Sequence, residues 1–167
     1  MLSIDITFTF KDTEFSFKAE IELNKPYTFE IGETALTDKL FWVLVGLDKS
    51  YKGKINGEGI CFNPSSWNNV LALGDKTMFV RGSVYKNIYK ALRVRANKKA
   101  ALERTEQVID HYDLRHLSKL NIKLLTQEEL LRVAVARAHF RKIALIVAKE
   151  CEIDFSRWKD SYIIKIV

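Results

Sequence analysis

Residues 124–150 read LLTQEELLRVAVARAHFRKIALIVAKE, a helical pattern that passes directly into a continuous apolar run. Thr126 and Glu129 have the S/T-x-x-E spacing of a capping box, in which each side chain accepts a hydrogen bond from the other residue's backbone N–H. This spacing predicts a helix from Thr126 to about Phe140. The run IALIV at 143–147 does not alternate with polar residues, which is typical of a strand covered on both faces in a parallel sheet. The stretch therefore predicts an α/β fold.

The segments on either side of this stretch extend the α/β prediction. Alternating apolar residues at 4–10 and again at 15–23 predict an antiparallel hairpin at the N-terminus. A predicted strand at 27–31 ends at Gly32 and leads into a helix over 34–47. The remaining predicted elements are short strands at 54–56 and 69–73, a basic helical region over 84–120, and a last strand at 162–167.

The composition predicts one folded domain with reduced cysteines. The chain has 167 residues, 47% of them apolar and 29% charged, which excludes a disordered protein and suits a single core. Cys61 and Cys151 lie far apart in apolar stretches, which favours free thiols and hence the cytosol. The N-terminus does not have the pattern of a secretory signal, and the apolar run at 40–47 is far shorter than the roughly 20 residues of a membrane span.

Taken in order, the segments resemble the nucleotide-binding domain of an ATP-binding cassette (ABC) transporter of the exporter type. The most specific match is RVAVARA at 132–138, against the family's R-V-A-L-A-R-A. TFEIG followed by VGLDKSYKGKING resembles the phosphate-loop unit with its trailing G-L-D…G-K-I…G. KTMFVRGSVYKNI at 76–88 is similar to the family's L-F-x-G-T-V-x-E-N-I. The resemblance covers nearly the whole chain.

The resemblance implies a P-loop NTPase-like mixed sheet with an N-terminal antiparallel β portion and a helical subdomain insertion. The single domain is expected to span 1–167, with a core formed by 1–83 and 125–167 and a helical subdomain at about 84–124. We expect it to be a shortened version that lacks the family's C-terminal part.

The phosphate loop departs from the family pattern. The motif G-x-x-x-x-G-K-[ST] uses glycines so that backbone N–H groups surround phosphate oxygens, a lysine for the outer phosphates and a hydroxyl for magnesium. The matching stretch here is GETALTDK at 32–39. Gly32 keeps the first place and Thr37 takes the second glycine. Asp38 stands in the lysine place and Lys39 in the hydroxyl place.

Other nucleotide-site positions implied by the resemblance have also changed. Lys149 replaces the metal-holding aspartate of Walker B, and Glu150 falls on the glutamate that activates water. Gly74 falls on the glutamine of the Q-loop. Thr126 keeps a hydroxyl in the serine place of the signature motif, whose two glycines are lost. Phe10 lies where the family carries an aromatic that stacks on adenine.

The substitutions at Asp38 and Lys149 exchange two opposite charges that adjoin the bound magnesium in the family. We predict that these two side chains form a salt bridge in the place of phosphate and metal. Turning a lysine–phosphate attraction into an aspartate–phosphate repulsion changes the interaction by about 8 kcal/mol at an effective dielectric near 20. A micromolar ligand has only about 8 kcal/mol of binding free energy in total. Magnesium-ATP is therefore not expected to bind in the usual pose.

Three candidate site residues have alternative interpretations. For Phe10, a core position is favoured over a base-stacking platform, because the phosphate site has changed. For Lys39, a phosphate ligand on the first turn of a helix and a surface lysine both stay open. For Glu150, a solvated strand end is favoured over a catalytic base once the metal-holding residue is gone.

Two surface features also allow two interpretations each. Met78, Phe79, Val80 and Tyr85 form either an apolar groove for the coupling helix of a membrane subunit or part of the helical packing. Seven basic residues lie between 86 and 104 with one acidic residue, and a solvated face is favoured over binding to nucleic acid or to anionic headgroups. His111, His116 and His139 lack the spacing of a metal site.

The function implied by the resemblance is that of a non-catalytic ABC subunit, a pseudo-ATPase. It is expected to dock on a transporter membrane subunit or to pair with an active ATPase subunit in a dimer, at the cytoplasmic face of the membrane. No cofactor or metal is expected, and ATP would bind only to a competent site. Two alternatives stay open: an ABC ATPase with atypical motifs that powers transport, and a basic protein that binds an anionic surface or, less favoured, nucleic acid.

Overall fold

A computed structural model of the chain describes residues 1–57, 69–74, 79–151, 154–156 and 158–167. The chain forms two compact units, the first made of Met1–Leu73 with Lys142–Val167 and the second of Gly74–Arg141. Within the described residues, the first unit contains β1 (Leu2–Phe10), β2 (Thr13–Ile21), β3 (Pro26–Phe29), α1 (Thr34–Leu44), β4 (Lys52–Gly57), β5 (Val70–Leu73), β6 (Leu145–Lys149) and β7 (Tyr162–Ile166). The second unit contains α2 (Val84–Arg93), α3 (Lys98–His111) and α4 (Gln127–Arg137).

The first sheet is antiparallel, with strand order β2-β1-β4. Burial alternates along β1, as predicted: the apolar Leu2, Ile4, Ile6 and Phe8 are each at most 3% exposed, whereas the polar Ser3, Asp5 and Thr9 are exposed. The turn between β1 and β2 places Lys11 and Asp12 at positive φ, the backbone conformation that matches the twist of a two-residue hairpin. The predicted N-terminal hairpin is therefore confirmed.

The second sheet is parallel, with strand order β3-β7-β6-β5. Leu145, Ile146 and Val147 of β6 are fully buried in succession, which confirms a strand covered on both faces. Helix α1 packs against β6. It ends at Leu44, three residues before the predicted end, because Gly46 adopts a left-handed conformation with φ of 80° that stops the helix.

The second unit is a helical body around its own apolar core. The predicted helical region over 84–120 consists of α2 and α3, separated by a turn in which the Asn97 side chain accepts a hydrogen bond from Ala100 N and caps α3. The capping box at the start of α4 is present, since Thr126 and Glu129 each accept a hydrogen bond from the other's backbone N–H. The core residues are Val84, Ile88, Leu92, Val108, Ile109, Leu114, Leu117, Ile122, Leu125, Leu130, Val133 and Ala136.

This unit includes more residues than the helical subdomain predicted at about 84–124. It begins at Gly74 and ends at Arg141, because α4 contributes to the same core as α2 and α3. On the N-terminal side, Ser83 pairs with Asn121, and Ile122 N donates to Gly82 O at 2.9 Å. None of the helices within the described ranges is long and apolar enough to cross a membrane.

Candidate functional site

The stretch predicted for a phosphate loop, residues 32–39, follows β3. Helix α1 already begins at Thr34, within this stretch. Glu33 is the residue before α1, and its carbonyl oxygen accepts hydrogen bonds from the backbone N–H groups of Leu36 and Thr37, both at 3.0 Å. The Thr37 hydroxyl donates to the same oxygen at 3.1 Å. Those two N–H groups therefore bind a carbonyl within the helix, whereas a phosphate loop keeps such groups for the ligand.

Asp38 and Lys149 form an ion pair between α1 and the end of β6. The ammonium Nζ of Lys149 donates to Oδ1 of Asp38. The Lys149 side chain is 13% exposed and that of Asp38 is 46% exposed, so the lysine is the more buried partner. The salt bridge predicted from the exchanged charges is therefore present.

Lys39 is held by a second polar network in the first unit. Its Nζ donates to Asp48 Oδ2 and to Ser50 Oγ, both at 2.5 Å, and lies 5.7 Å from the centre of the Phe8 ring. Partial burial acts to raise the pKa of Asp48, but hydrogen bonds from Lys39 and Ser50 outweigh it and hold that pKa below its ordinary value. From the sequence, Lys39 was either a phosphate ligand or a surface lysine. In the structure its ammonium binds Asp48 and Ser50 of the loop that follows α1.

Glu150 directly follows β6 and is exposed. Its backbone is left-handed, with φ of 47°, and its N–H donates to Ile166 O at 2.9 Å. The preceding residue in the chain is Lys149, whose ammonium is paired with Asp38. This placement is that of an exposed strand end, the interpretation favoured from the sequence.

Phe10 is half-buried, so the core position favoured for it from the sequence and the alternative of a base-stacking platform both stay predictions. The Lys11 ammonium lies 5.2 Å from the centre of the Phe10 ring and also contacts Glu33 Oε1 at 2.6 Å. The neighbouring aromatic Phe8 is 3% exposed and is the core residue of this strand, stacked on Phe17 at 5.5 Å between ring centres. Phe10 pairs with Thr13 at the end of the hairpin, beyond the residues of β1 that pair with β4.

Two of the predicted nucleotide-site positions lie in the second unit. Gly74 is its first residue and has a positive φ of 115°. Thr126 is the cap of α4, and its hydroxyl oxygen accepts from Glu129 N at 3.3 Å. The hydroxyl also donates to Glu129 Oε2 at 3.0 Å, so a local helix cap uses this side chain. The other predicted positions belong to the first unit.

The predicted partner-contact residues divide by burial. Met78 lies outside the described residues. Phe79 and Tyr85 pack against the core of the second unit, and the Arg137 guanidinium lies 5.1 Å from the centre of the Phe79 ring. Val80 is 38% exposed. Helical packing therefore accounts for Phe79 and Tyr85, while Val80 presents an apolar side chain to the surface.

Asn87 holds the segment before α2 and was missed by the sequence analysis, because an asparagine on a helix gives no pattern of its own. It is 1% exposed. Its Oδ1 accepts from Val80 N at 2.8 Å, and its Nδ2 donates to Val80 O at 2.9 Å and to Ser83 O at 3.0 Å. The Asn87 side chain thus pairs with both the N–H and the carbonyl group of Val80, as a neighbouring strand would.

Replacing Asn87 with alanine is expected to lower the free energy of unfolding by about 2 kcal/mol, because it leaves polar groups of Val80 unpaired in a partly buried place. Urea denaturation measures the effect. The matched control is Gln107→Ala on α3, whose side chain is exposed and should change stability by less than about 0.5 kcal/mol. Equal effects of the two substitutions would contradict the role given to Asn87.

The remaining titratable candidates do not assemble into a metal site within the described parts of the chain. No group of three or more His, Cys, Asp or Glu side chains lies close enough there to hold an ion.

His139 and Cys151 have shifted pKa values because of burial. The His139 ring shares a hydrogen bond with the Tyr112 hydroxyl at 3.2 Å, and burial, followed by repulsion from His111, lowers the pKa of His139. Burial raises the pKa of the Cys151 thiol to about 11, which keeps it protonated and unreactive at neutral pH. Cys61 lies outside the described residues.

Solved structures share the arrangement of these sheets and helices. The structure of cbiO1 from Clostridium perfringens, described as part of the ABC transporter complex cbiONQ, superposes with a TM-score of 0.67 at 15% identity, over 99% of this chain and 77% of that one. The ATP-binding cassette MJ0796, in a dimeric post-hydrolysis state bound to ADP and Pi, superposes with a TM-score of 0.72 at 11% identity, over 99% of this chain and 87% of that one. The chain has the ABC ATPase fold.

The fold class predicted from the sequence is confirmed by these likenesses. No protein-family model matches the chain, and no curated protein sequence matches it. The ABC-type fold is thus recognisable from the three-dimensional structure at sequence identities of 15% and 11%. A fold by itself does not assign an activity, which has to be argued from the residues of the site.

Proposed function

We propose that the chain is a non-catalytic ABC-type subunit whose nucleotide site is closed from within. The observation that carries the proposal is the ion pair between Asp38 and Lys149. In the P-loop pattern the place of Asp38 belongs to a lysine that neutralises phosphate. The carboxylate repels phosphate, and its partner Lys149 has no oxygen with which to ligate magnesium. Both charges of the pair are therefore wrong for a metal-bound triphosphate.

The start of α1 supports the same conclusion through the backbone. The N–H groups of Leu36 and Thr37 already bind the Glu33 carbonyl. A phosphate group that displaced this carbonyl would have to unwind the first turn of α1. Lys39, the remaining cation of the motif, would also have to leave Asp48 and Ser50. A nucleotide must break these contacts before it gains its own.

The proposed partner is a transporter membrane subunit or an active ABC ATPase subunit, and the site of action is the cytoplasmic face of a membrane. The fold likeness supports this proposal, because cbiO1 is described as part of an ABC transporter complex and MJ0796 as a dimer. A subunit that does not hydrolyse ATP can still complete such an assembly. The exposed side chain of Val80 is the proposed contact on the segment that precedes α2.

Titration with magnesium-ATP tests the proposal through thermal unfolding. A ligand at about a hundred times its dissociation constant adds about 2.7 kcal/mol of stability, which raises the midpoint of a chain of this size by about 5–10 °C. We expect a change below about 1 °C, because the ion pair of Asp38 and Lys149 and the helical start of α1 oppose binding of the nucleotide. Magnesium chloride without ATP is the control for ionic effects.

A shift of several degrees together with phosphate release would overturn the proposal in favour of an ATPase with atypical motifs. The variant Asp38→Asn separates the two barriers, since it removes the negative charge and keeps the shape of the side chain. If it also shows no shift, the helical backbone of residues 34–37 closes the site by itself. The genes beside the one for this chain test the partner, and we expect one of them to encode a membrane-spanning transporter subunit.

A further inference from the structure

Six exposed basic side chains occupy one stretch of the second unit, at Lys86, Lys90, Arg93, Arg95, Lys98 and Lys99. We refer to these six residues as the basic surface. The formal net charge of the whole chain is +6, with 27 basic and 21 acidic residues. The basic residues outside the basic surface thus equal the acidic residues in number, and the excess charge of the protein is concentrated here.

Helix α2 presents three of these residues on the side opposite to its buried face. Val84, Ile88 and Leu92 are buried in the core of the unit. Lys86, Lys90 and Arg93 follow each other at intervals of four and three residues, which places them along one exposed line of the helix. This line leads directly into the turn at 94–97.

An apolar side chain projects from that turn. Val94 is 78% exposed, the largest exposed fraction of any large apolar residue in the described part of the chain. It is flanked by Arg93 and Arg95. Lys98 and Lys99 open α3, whose first turn contains no acidic residue. Positive charge at a helix N-terminus opposes the helix dipole, so the fold itself gains nothing from these two lysines.

The carboxylates in the described part of the chain do not pair with the positive charges of the basic surface. Within the described residues, no salt bridge joins any of the six to an aspartate or a glutamate. Arg95 also lies close enough to Arg141 to repel it. Burial, followed by repulsion from Arg95 and Arg137, lowers the pKa of Arg141 to about 10.

We propose that the basic surface binds the anionic headgroups of a phospholipid membrane, with Val94 entering the boundary between headgroups and acyl chains. Lysine and arginine are attracted to an anionic leaflet, and an apolar tip between them is suited to that boundary. Single-stranded nucleic acid would instead require aromatic rings for base stacking. The turn at 94–97 has none, and Tyr85 and Tyr89 on α2 stack on each other at 6.5 Å between ring centres. This binding does not depend on the state of the nucleotide site.

Vesicle sedimentation with the full chain tests the proposal. We expect binding to phosphatidylcholine vesicles that contain about 30 mol% phosphatidylserine to be at least about ten-fold stronger than binding to phosphatidylcholine alone. Raising the salt concentration from about 0.1 M to about 0.5 M should abolish this preference, because it screens exposed charges. The double variant Lys98→Gln/Lys99→Gln should weaken binding about 25-fold, at about five-fold for each charge. Val94→Ser should weaken it about five-fold.

The controls lie in the same unit but outside the basic surface. Lys119→Gln/Lys123→Gln removes two other exposed lysines, and Leu124→Ser removes a side chain that is 73% exposed. Both should bind vesicles within two-fold of the unchanged chain, and all variants should keep the thermal midpoint. Equal binding to neutral and anionic vesicles, or equal weakening by the controls, would overturn the proposal. Stronger binding to a single-stranded oligonucleotide than to the vesicles would overturn it in favour of nucleic acid.

Discussion

Replacing Asp38 with alanine is expected to lower the free energy of unfolding by about 2–3 kcal/mol. The substitution leaves the ammonium of Lys149, whose side chain is only 13% exposed, without its carboxylate partner. Removing one member of a fully buried ion pair costs about 3–5 kcal/mol, whereas an exposed pair contributes at most about 1 kcal/mol. The value expected here lies between these limits, because the partners are unequally buried. Urea denaturation followed by circular dichroism measures it.

The opposite substitution, Lys149→Met, should cost only about 1 kcal/mol or less. Methionine keeps most of the length and apolar volume of the lysine, and the carboxylate left behind on Asp38 is 46% exposed to water. The two variants therefore differ although they break the same ion pair. As a control, Asp5→Ala removes a partner of Lys18 in a pair whose side chains are 59% and 73% exposed, and it should change stability by less than about 0.5 kcal/mol. Equal losses from Asp38→Ala and Lys149→Met would contradict the burial of the lysine.

The second large effect is expected at Gly53, where alanine should lower the free energy of unfolding by about 3 kcal/mol or more. Gly53 lies in β4 opposite Ile6 of β1 and has a positive φ of 108°. An added Cβ would overlap the carbonyl oxygen of Asp5 and lie 3.0 Å from its carbonyl carbon. Both the left-handed backbone and the contact with the neighbouring strand's backbone oppose the side chain. Thermal and urea unfolding report the loss.

The matched control is Gly32→Ala, which also tests the proposed closure of the nucleotide site. A Cβ at Gly32 would have no heavy atom within 4 Å, and its backbone is not left-handed. We expect a change below about 0.5 kcal/mol, since Gly32 has no conformational need to be glycine. A phosphate loop depends on its glycines to let backbone N–H groups approach the ligand. A loss at Gly32 as large as that at Gly53 would contradict this description of the segment.

The prediction of the fold depended on segments whose periodicity is strong. The alternation in β1, the continuous apolar run of β6 and the capping box at Thr126 are local patterns, and each predicted the element that the structure contains. Boundaries were less accurate. The helical region over 84–120 divides at 94–97, and α1 ends early at Gly46, because caps and turns depend on single residues that periodicity averages out.

In the candidate site, the contact that could be predicted from the sequence was the one between two residues of opposite charge. The exchange of signs at Asp38 and Lys149 predicted an ion pair between residues far apart in the chain, and the structure contains it. The roles of Asn87 and of Asp48 were not predictable. Asn87 binds the backbone of Val80, and Asp48 binds Lys39 across the end of α1. A hydrogen bond to backbone or to a loop leaves no spacing or composition signal.

The amino-acid sequence by itself determined that the chain is an α/β protein, and its resemblance to P-loop proteins predicted that Asp38 and Lys149 stand at the phosphate and metal positions. Only the tertiary structure decided how deeply the predicted pair is buried and what the other charged residues contact. It placed Lys149 in a largely buried position against Asp38, engaged Lys39 with Asp48 and exposed Val94 among six basic residues. The physical reason is that periodicity and residue type are local properties, whereas burial and pairing depend on which distant segments the folded chain brings into contact.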